Sequence, residues 1–260
     1  MMILMYKIFL MLLMISKLSG QSLLTNQNNF DKNYFIIRDT IYTLYDHIIE
    51  VYLPAQKGYL HFRDGRIFEF NLSTGDGRLH KGVETPEGIF VIQNKARKVY
   101  SRQFDSTLML NWMGFNLNIG FHALLGRAYY KYLGKRVSSH GCIRLSREDS
   151  EYLYKLIEIG TPVFIHSGKS ARVVAFAEKN NSYKFYDSKN LNRILNQNLN
   201  NLYAGLYLHK RIPVVISHKN VSHKGIEHVR EDLIPPQLPT YQTYRNFHIT
   251  RNLFEVIKID

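Results

Sequence analysis

The chain has very little cysteine. Its 260 residues include one, Cys142, so no internal disulfide can form. Long apolar runs are also missing: the continuous run at residues 8–15 is too short to span a bilayer comfortably. Acidic residues are scarce, 21 against 34 basic ones, for a formal charge of +13. No internal repeat is present. His218, His223 and His228 are five apart, a spacing that does not align on one helix face, and they lack acidic or cysteine neighbours in a zinc pattern. These shortages argue against a disulfide scaffold, a polytopic membrane protein, a repeat array and a metal site at those histidines.

The two ends bound the rest. Lys7, the apolar run 8–15 and the small residues Ser19 and Gly20 before Gln21 read as an export leader over residues 1–20, or as a membrane anchor if retained. No cysteine adjoins the cleavage site, so a lipid anchor of the lipoprotein kind is unsupported. Nucleic acid is the reflex partner for so basic a chain. The leader argues against it, and favours an anionic envelope polymer or a membrane surface. Residues 21–167 carry 18 basic and 14 acidic side chains, whereas 168–260 carry 14 and 7, so the excess is concentrated toward the C-terminus.

Cys142 is what gives the chain chemistry. It lies in Ser138-Ser139-His140-Gly141-Cys142-Ile143-Arg144-Leu145, with His122 20 positions upstream. A thiol beside a histidine can be held as the reactive thiolate, so this cysteine is a candidate nucleophile. Alternation and β-branched or aromatic content predict strands at 34–37, 48–53, 59–62, 66–72, 88–93, 108–115 and 162–166, with Asp64-Gly65 as a two-residue turn. A helix starts at Ser146, with Asp149 as in a capping box and Tyr152, Leu153, Leu156 and Ile157 as its apolar face; Gly160 and Pro162 end it. Leu191, Ile194, Leu195, Leu199 and Leu202 mark a second amphipathic helix behind a Ser188 cap. The Pro235 to Pro239 stretch reads as extended chain.

Four segments resemble the catalytic domain of bacterial L,D-transpeptidases, in that family's order. They are the hairpin from Ile48-Ile49-Glu50-Val51 to Asp64-Gly65-Arg66; Ser73-Thr74-Gly75 with Thr85-Pro86-Glu87-Gly88-Ile89-Phe90; Ile119-Gly120-Phe121-His122-Ala123; and Ser139-His140-Gly141-Cys142-Ile143-Arg144-Leu145 with Gly160-Thr161-Pro162-Val163. The resemblance implies a mainly β fold, a sandwich or barrel catalytic domain over 45–167 with a short helix after the nucleophile loop. A lead-in over 21–44 would precede it, and an α+β extension of unknown role would follow over 168–260. No recognisable wall-binding module accompanies it.

The same resemblance implies the roles. Cys142 is the nucleophile, His122 the proton donor and acceptor, and the backbone carbonyl of Ala123 the group that orients it. His140 shapes the site, and the amides of Gly141 and Cys142 are oxyanion donors. Arg144 either holds a substrate carboxylate or ties down the loop, and Ser139 supports the loop beside the substrate. Tyr129, Tyr130 and Tyr132, with Lys131, Lys135 and Arg136, either face peptide carboxylates or form a solvated loop. The implied reaction is transfer of a peptidoglycan stem acyl group through a Cys142 thioester to a second stem or to a wall-linked protein. It needs no metal or organic cofactor, and carbapenems are expected to acylate the thiol. Hydrolysis of the thioester, or wall binding without catalysis, are the rivals.

Overall fold

The computed structural model describes residues 38–229, apart from 102–105, 169 and 228. The expected leader, the strand at 34–37, His228 and the stretch Pro235 to Pro239 lie outside the described residues.

Among the described residues, twelve strands form two sheets. They are β1 (Asp39–Thr43), β2 (His47–Tyr52), β3 (Lys57–Phe62), β4 (Ile67–Ser73), β5 (Gly88–Val91), β6 (Asn94–Tyr100), β7 (Leu108–Asn116), β8 (Ile119–Leu124), β9 (Ile143–Leu145), β10 (Pro162–His166), β11 (Arg172–Phe176) and β12 (Val214–Ile216). Nine pair in the order β5-β10-β2-β3-β4-β9-β8-β7-β6, and β11-β1-β12 form a small parallel sheet. Among the described residues the α-helices are α1 (Arg147–Leu156), α2 (Ser188–Tyr203) and the short α3 (Tyr207–Lys210), with a 3-10 helix at Ala128–Tyr132. The fold is mainly β with α+β elements after residue 167, the class that the sequence implies.

The near-continuous apolar character of β2, β5 and β10 has a direct cause. Successive side chains on a strand point to opposite faces, and here both faces are covered. Ile49, Val51, Phe90, Ile92, Val163 and Ile165 enter the main core with Met113, Phe121, Ile143 and Leu153. Their alternates Ile48, Ile89, Val91 and Phe164 pack into a second core with Ile41, Val174, Val214 and the α2 residues Leu191, Ile194 and Leu195.

Several local expectations shift. The loop at Asp64-Gly65 is wider than two residues: β3 ends at Phe62 and β4 starts at Ile67, with Gly65 at φ +89. Ser146 does cap α1, its Oγ accepting from Asp149 N at 2.9 Å. However, Tyr152 is exposed rather than on the apolar face. The helix ends at Leu156, well before Gly160, because Lys95 of β6 donates its ammonium to the carbonyls of Tyr154, at 2.8 Å, and Ile157. A cation on the last carbonyls completes a helix C-terminus. For α2 the cap is Asp187, not Ser188: its Oδ1 accepts from Asn190 N at 2.9 Å.

Candidate active site

The Cys142 loop is fixed by a three-residue strand. β9 lies between β4, with Leu72 opposite Leu145, and β8, which runs parallel to it with His122 opposite Arg144. Phe121, Ile143 and Leu145 are fully buried in the main core. Alternation then turns His122 and Arg144 the other way, into a cleft of about 910 Å³ that Cys142 also lines. Its other walls are Lys81 and Val83, the β6–β7 hairpin residues Tyr100, Ser101, Thr107 and Met109, and the turn Asn116 to Ile119.

His122 is 4 % exposed, and its Nδ1 lies 3.2 Å from the carbonyl of its neighbour Ala123. With Nδ1–H donating to that carbonyl, Nε2 is the nitrogen left to accept a proton. Burial draws the imidazole down to about 4; the Ala123 contact opposes this and the Arg144 charge adds to it. Burial likewise pushes the Cys142 thiol up from its ordinary value, against the Gly120 amide and Arg144. Its Sγ–H points to Asn118 O at 3.5 Å. In the one cleft they line, burial thus favours the neutral thiol and the neutral imidazole. Burial penalises both charged forms.

The remaining motif residues hold the turn. Ser139, buried, donates its hydroxyl to the carbonyl of Cys142 and accepts from Gly141 N at 3.2 Å. Gly141 N–H is thus already engaged, while Cys142 N–H has no acceptor among the described residues. Arg144 Nη1 donates to Ser138 O at 2.9 Å, the loop-tying role, and its Nε is buried without a partner among the described residues. His140 lines the cleft, its pKa lowered by burial and by Arg144 and His80. Tyr129 hydroxyl donates to Leu145 O at 2.6 Å, and Tyr130 hydroxyl donates to Glu148 at 2.8 Å. Those two tyrosines brace β9 and α1, while Tyr132 stacks with Arg136, whose guanidinium lies 4.1 Å from the ring centre.

Three further residues, Thr85, Gly75 and Gln56, build the site. Thr85 Oγ1 accepts from Gly75 N at 2.9 Å and donates to Gly141 O at 2.7 Å. Gly75 lies against Gly141 so closely that a Cβ would meet Gly141 Cα at 2.7 Å and Val83 O at 2.2 Å. Gly141 itself sits at φ +135, which only glycine adopts readily. Gln56, buried in the β2–β3 turn at φ +52, anchors Thr74: Thr74 N donates to its Oε1 at 2.8 Å. Thr85 stood in a quoted motif; Gln56 is a lone polar residue in a turn and announces nothing. Among the described residues, no three His, Cys, Asp or Glu side chains are arranged to hold a metal ion.

Residues 46–165 match the family model of the L,D-transpeptidase catalytic domain. A curated relative, the probable L,D-transpeptidase 3 of Mycobacterium tuberculosis, is 27 % identical over 123 residues, covering 44 % of this chain and 43 % of the relative. The chain thus matches less than half of that relative's length. Similar solved structures include an L,D-transpeptidase from Stackebrandtia nassauensis, with TM-score 0.41 and 23 % identity over 54 % of this chain and 60 % of that one. Another is from Mycobacterium smegmatis, with TM-score 0.41 and 17 % identity over 46 % and 58 %.

Proposed function

We propose that the L,D-transpeptidase catalytic domain carried by residues 46–165 acts in this chain as a cysteine acyltransferase on peptidoglycan stem peptides. The observation that carries this is the pairing, in one cleft, of the chain's sole thiol with a buried histidine whose Nδ1 is committed to Ala123 O.

In this reading the Cys142 thiol gives its proton to His122 Nε2 as the sulfur attacks the carbonyl between the third, diamino residue and the terminal D-alanine. The Cys142 amide stabilises the oxyanion, a donor of a kind worth about 3–4 kcal/mol in the transition state. The carbon–nitrogen bond breaks, His122 returns the proton to the leaving amine, and a thioester remains. An amine on a second stem, or on a wall-linked protein, attacks the thioester; the new amide forms and the thiol is restored. The reading places the protein outside the cytoplasm, through the leader at 1–20, in the periplasm or cell envelope.

The test is product analysis after incubation with disaccharide-tetrapeptide. Cross-linked dimers with released D-alanine support transfer. Trimmed tripeptide alone would make water the acceptor and the protein a carboxypeptidase, and no product from folded protein with a titratable thiol would contradict the reading.

A further inference from the structure

Among the described residues, the side chains lining the cleft beside Cys142 carry charge of one sign. Lys81 and Arg144 line it, and no aspartate or glutamate does among the described residues. Arg144 is tied to the nucleophile loop through Ser138 O. Lys81 is exposed and makes no hydrogen bond or ion pair among the described residues. Its charge is therefore available to a ligand.

The backbone at this position is also particular. Lys81 sits at φ +57, a left-handed conformation that is unfavourable for a lysine and costless for a glycine. It is held there by the turn in which Leu79 N donates to Asp76 O at 3.2 Å and Gly82 N to Leu79 O at 2.8 Å. The next residue, Val83, donates its N–H to His140 O at 3.4 Å, and its side chain lies where a Cβ on Gly141 would be, 2.8 Å away. Lys81 thus rides on the loop that braces the nucleophile turn, in a conformation that lysine does not favour, at the wall of the cleft. An ammonium is a point charge on a flexible stem, suited to a carboxylate whose exact position varies.

We propose that Lys81 is a specificity-determining residue that pairs with a free carboxylate flanking the scissile bond of the acyl donor. The inference rests on the acyl-donor reading above. Two carboxylates have this chemistry: that of the terminal D-alanine, and that on the side chain of the third, diamino residue. Substrates amidated at the recognised position are disfavoured, because they offer the lysine no charged partner.

The test is calorimetric binding to the full chain carrying Cys142→Ala, which prevents turnover. The probes are a synthetic stem tetrapeptide and its two monoamides, one at the terminal carboxylate and one at the third residue's side-chain carboxylate. One monoamide is expected to bind about tenfold more weakly, which is ~1.4 kcal/mol, and its identity names the carboxylate. Lys81→Met should weaken the free peptide by the same factor and leave that monoamide unchanged. Lys81→Gly, which relieves the backbone and so folds readily, should behave as Lys81→Met, and Lys81→Arg should retain the discrimination. Equal weakening of all three peptides would mark Lys81 as merely structural and overturn the proposal, as would no change or no binding. Turnover by the unaltered protein without Lys81-dependent selectivity sinks this inference alone. Lys81-dependent binding without turnover sinks the acyltransfer reading alone.

Discussion

At the scale of residues, the decisive quantity is the protonation state of two side chains. With the imidazole of His122 drawn down to about 4 by burial and the thiol of Cys142 raised, both are neutral around pH 7. A general base works only while it is unprotonated. Because the His122 value is depressed, the base stays competent as pH falls through the ordinary histidine range near 6.5 and is lost only on approach to 4. The expected profile for acylation of Cys142 by a carbapenem is therefore level from about pH 8 to about pH 5, then falling. An inflection near 6.5 would mean that the buried imidazole is not the base. Cys142, His122, His140 and Arg144 were legible in the sequence because they sit in contiguous motifs. Their electrostatics were not, since Trp112, whose ring lies 6.2 Å from that of His122, is brought against it by the pairing of β7 with β8, which no local spacing encodes.

At the scale of elements, the nucleophile turn is held by a loop that belongs to none of its flanking strands. Thr85 joins Gly75 N to Gly141 O with one hydroxyl. Thr85→Val keeps the shape and leaves both buried backbone groups unpaired, at about 1–3 kcal/mol each. Urea unfolding should show a loss in that range or above, with Cys142 acylation slowed more than stability alone accounts for, and Thr85→Ser should restore most of both. Unchanged acylation in Thr85→Val would remove the clamp from the account. Alternation made β4 legible, and β-branched or aromatic content made β3, β7 and β10 so. β6, with the exposed Asn-Lys-Ala-Arg-Lys run, and the three-residue β9 gave no periodic signal, because β6 is an edge strand facing solvent and β9 is too short to alternate. The end of α1 was misread for a related reason: the group that stops it, Lys95, arrives from another strand.

At the scale of the whole molecule, the described part of the chain after residue 167 packs against the segment 46–165. It closes the outer face of β2, β5 and β10 and pairs with β1 from the lead-in, Asp39 to Thr43 opposite Arg172 to Phe176. A buried network pins the two ends together. Arg172 Nε donates to Asp39 Oδ2 at 3.2 Å, Tyr207 hydroxyl donates to Asp39 Oδ1 at 3.0 Å, and Thr40 N donates to the same hydroxyl at 2.8 Å. Tyr207→Phe removes one donor from a fully buried carboxylate and one acceptor from a buried amide, for an expected loss of about 2–4 kcal/mol. Chemical denaturation should show it, while the Cys142 acylation rate at low denaturant stays as in the unaltered protein; a slowed rate would tie this layer to the cleft. The parallel pairing of β1, β11 and β12 was hidden in the sequence because its partners are separated by more than a hundred residues.

The measurement that bears most directly on the account is intact-mass spectrometry of the protein after incubation with disaccharide-tetrapeptide, beside a Cys142→Ala control. The account predicts an adduct of the stem acyl group, less its terminal D-alanine, on the unaltered protein and none on the control. An unmodified mass in both, from folded protein whose thiol still titrates, would contradict the thioester at its centre.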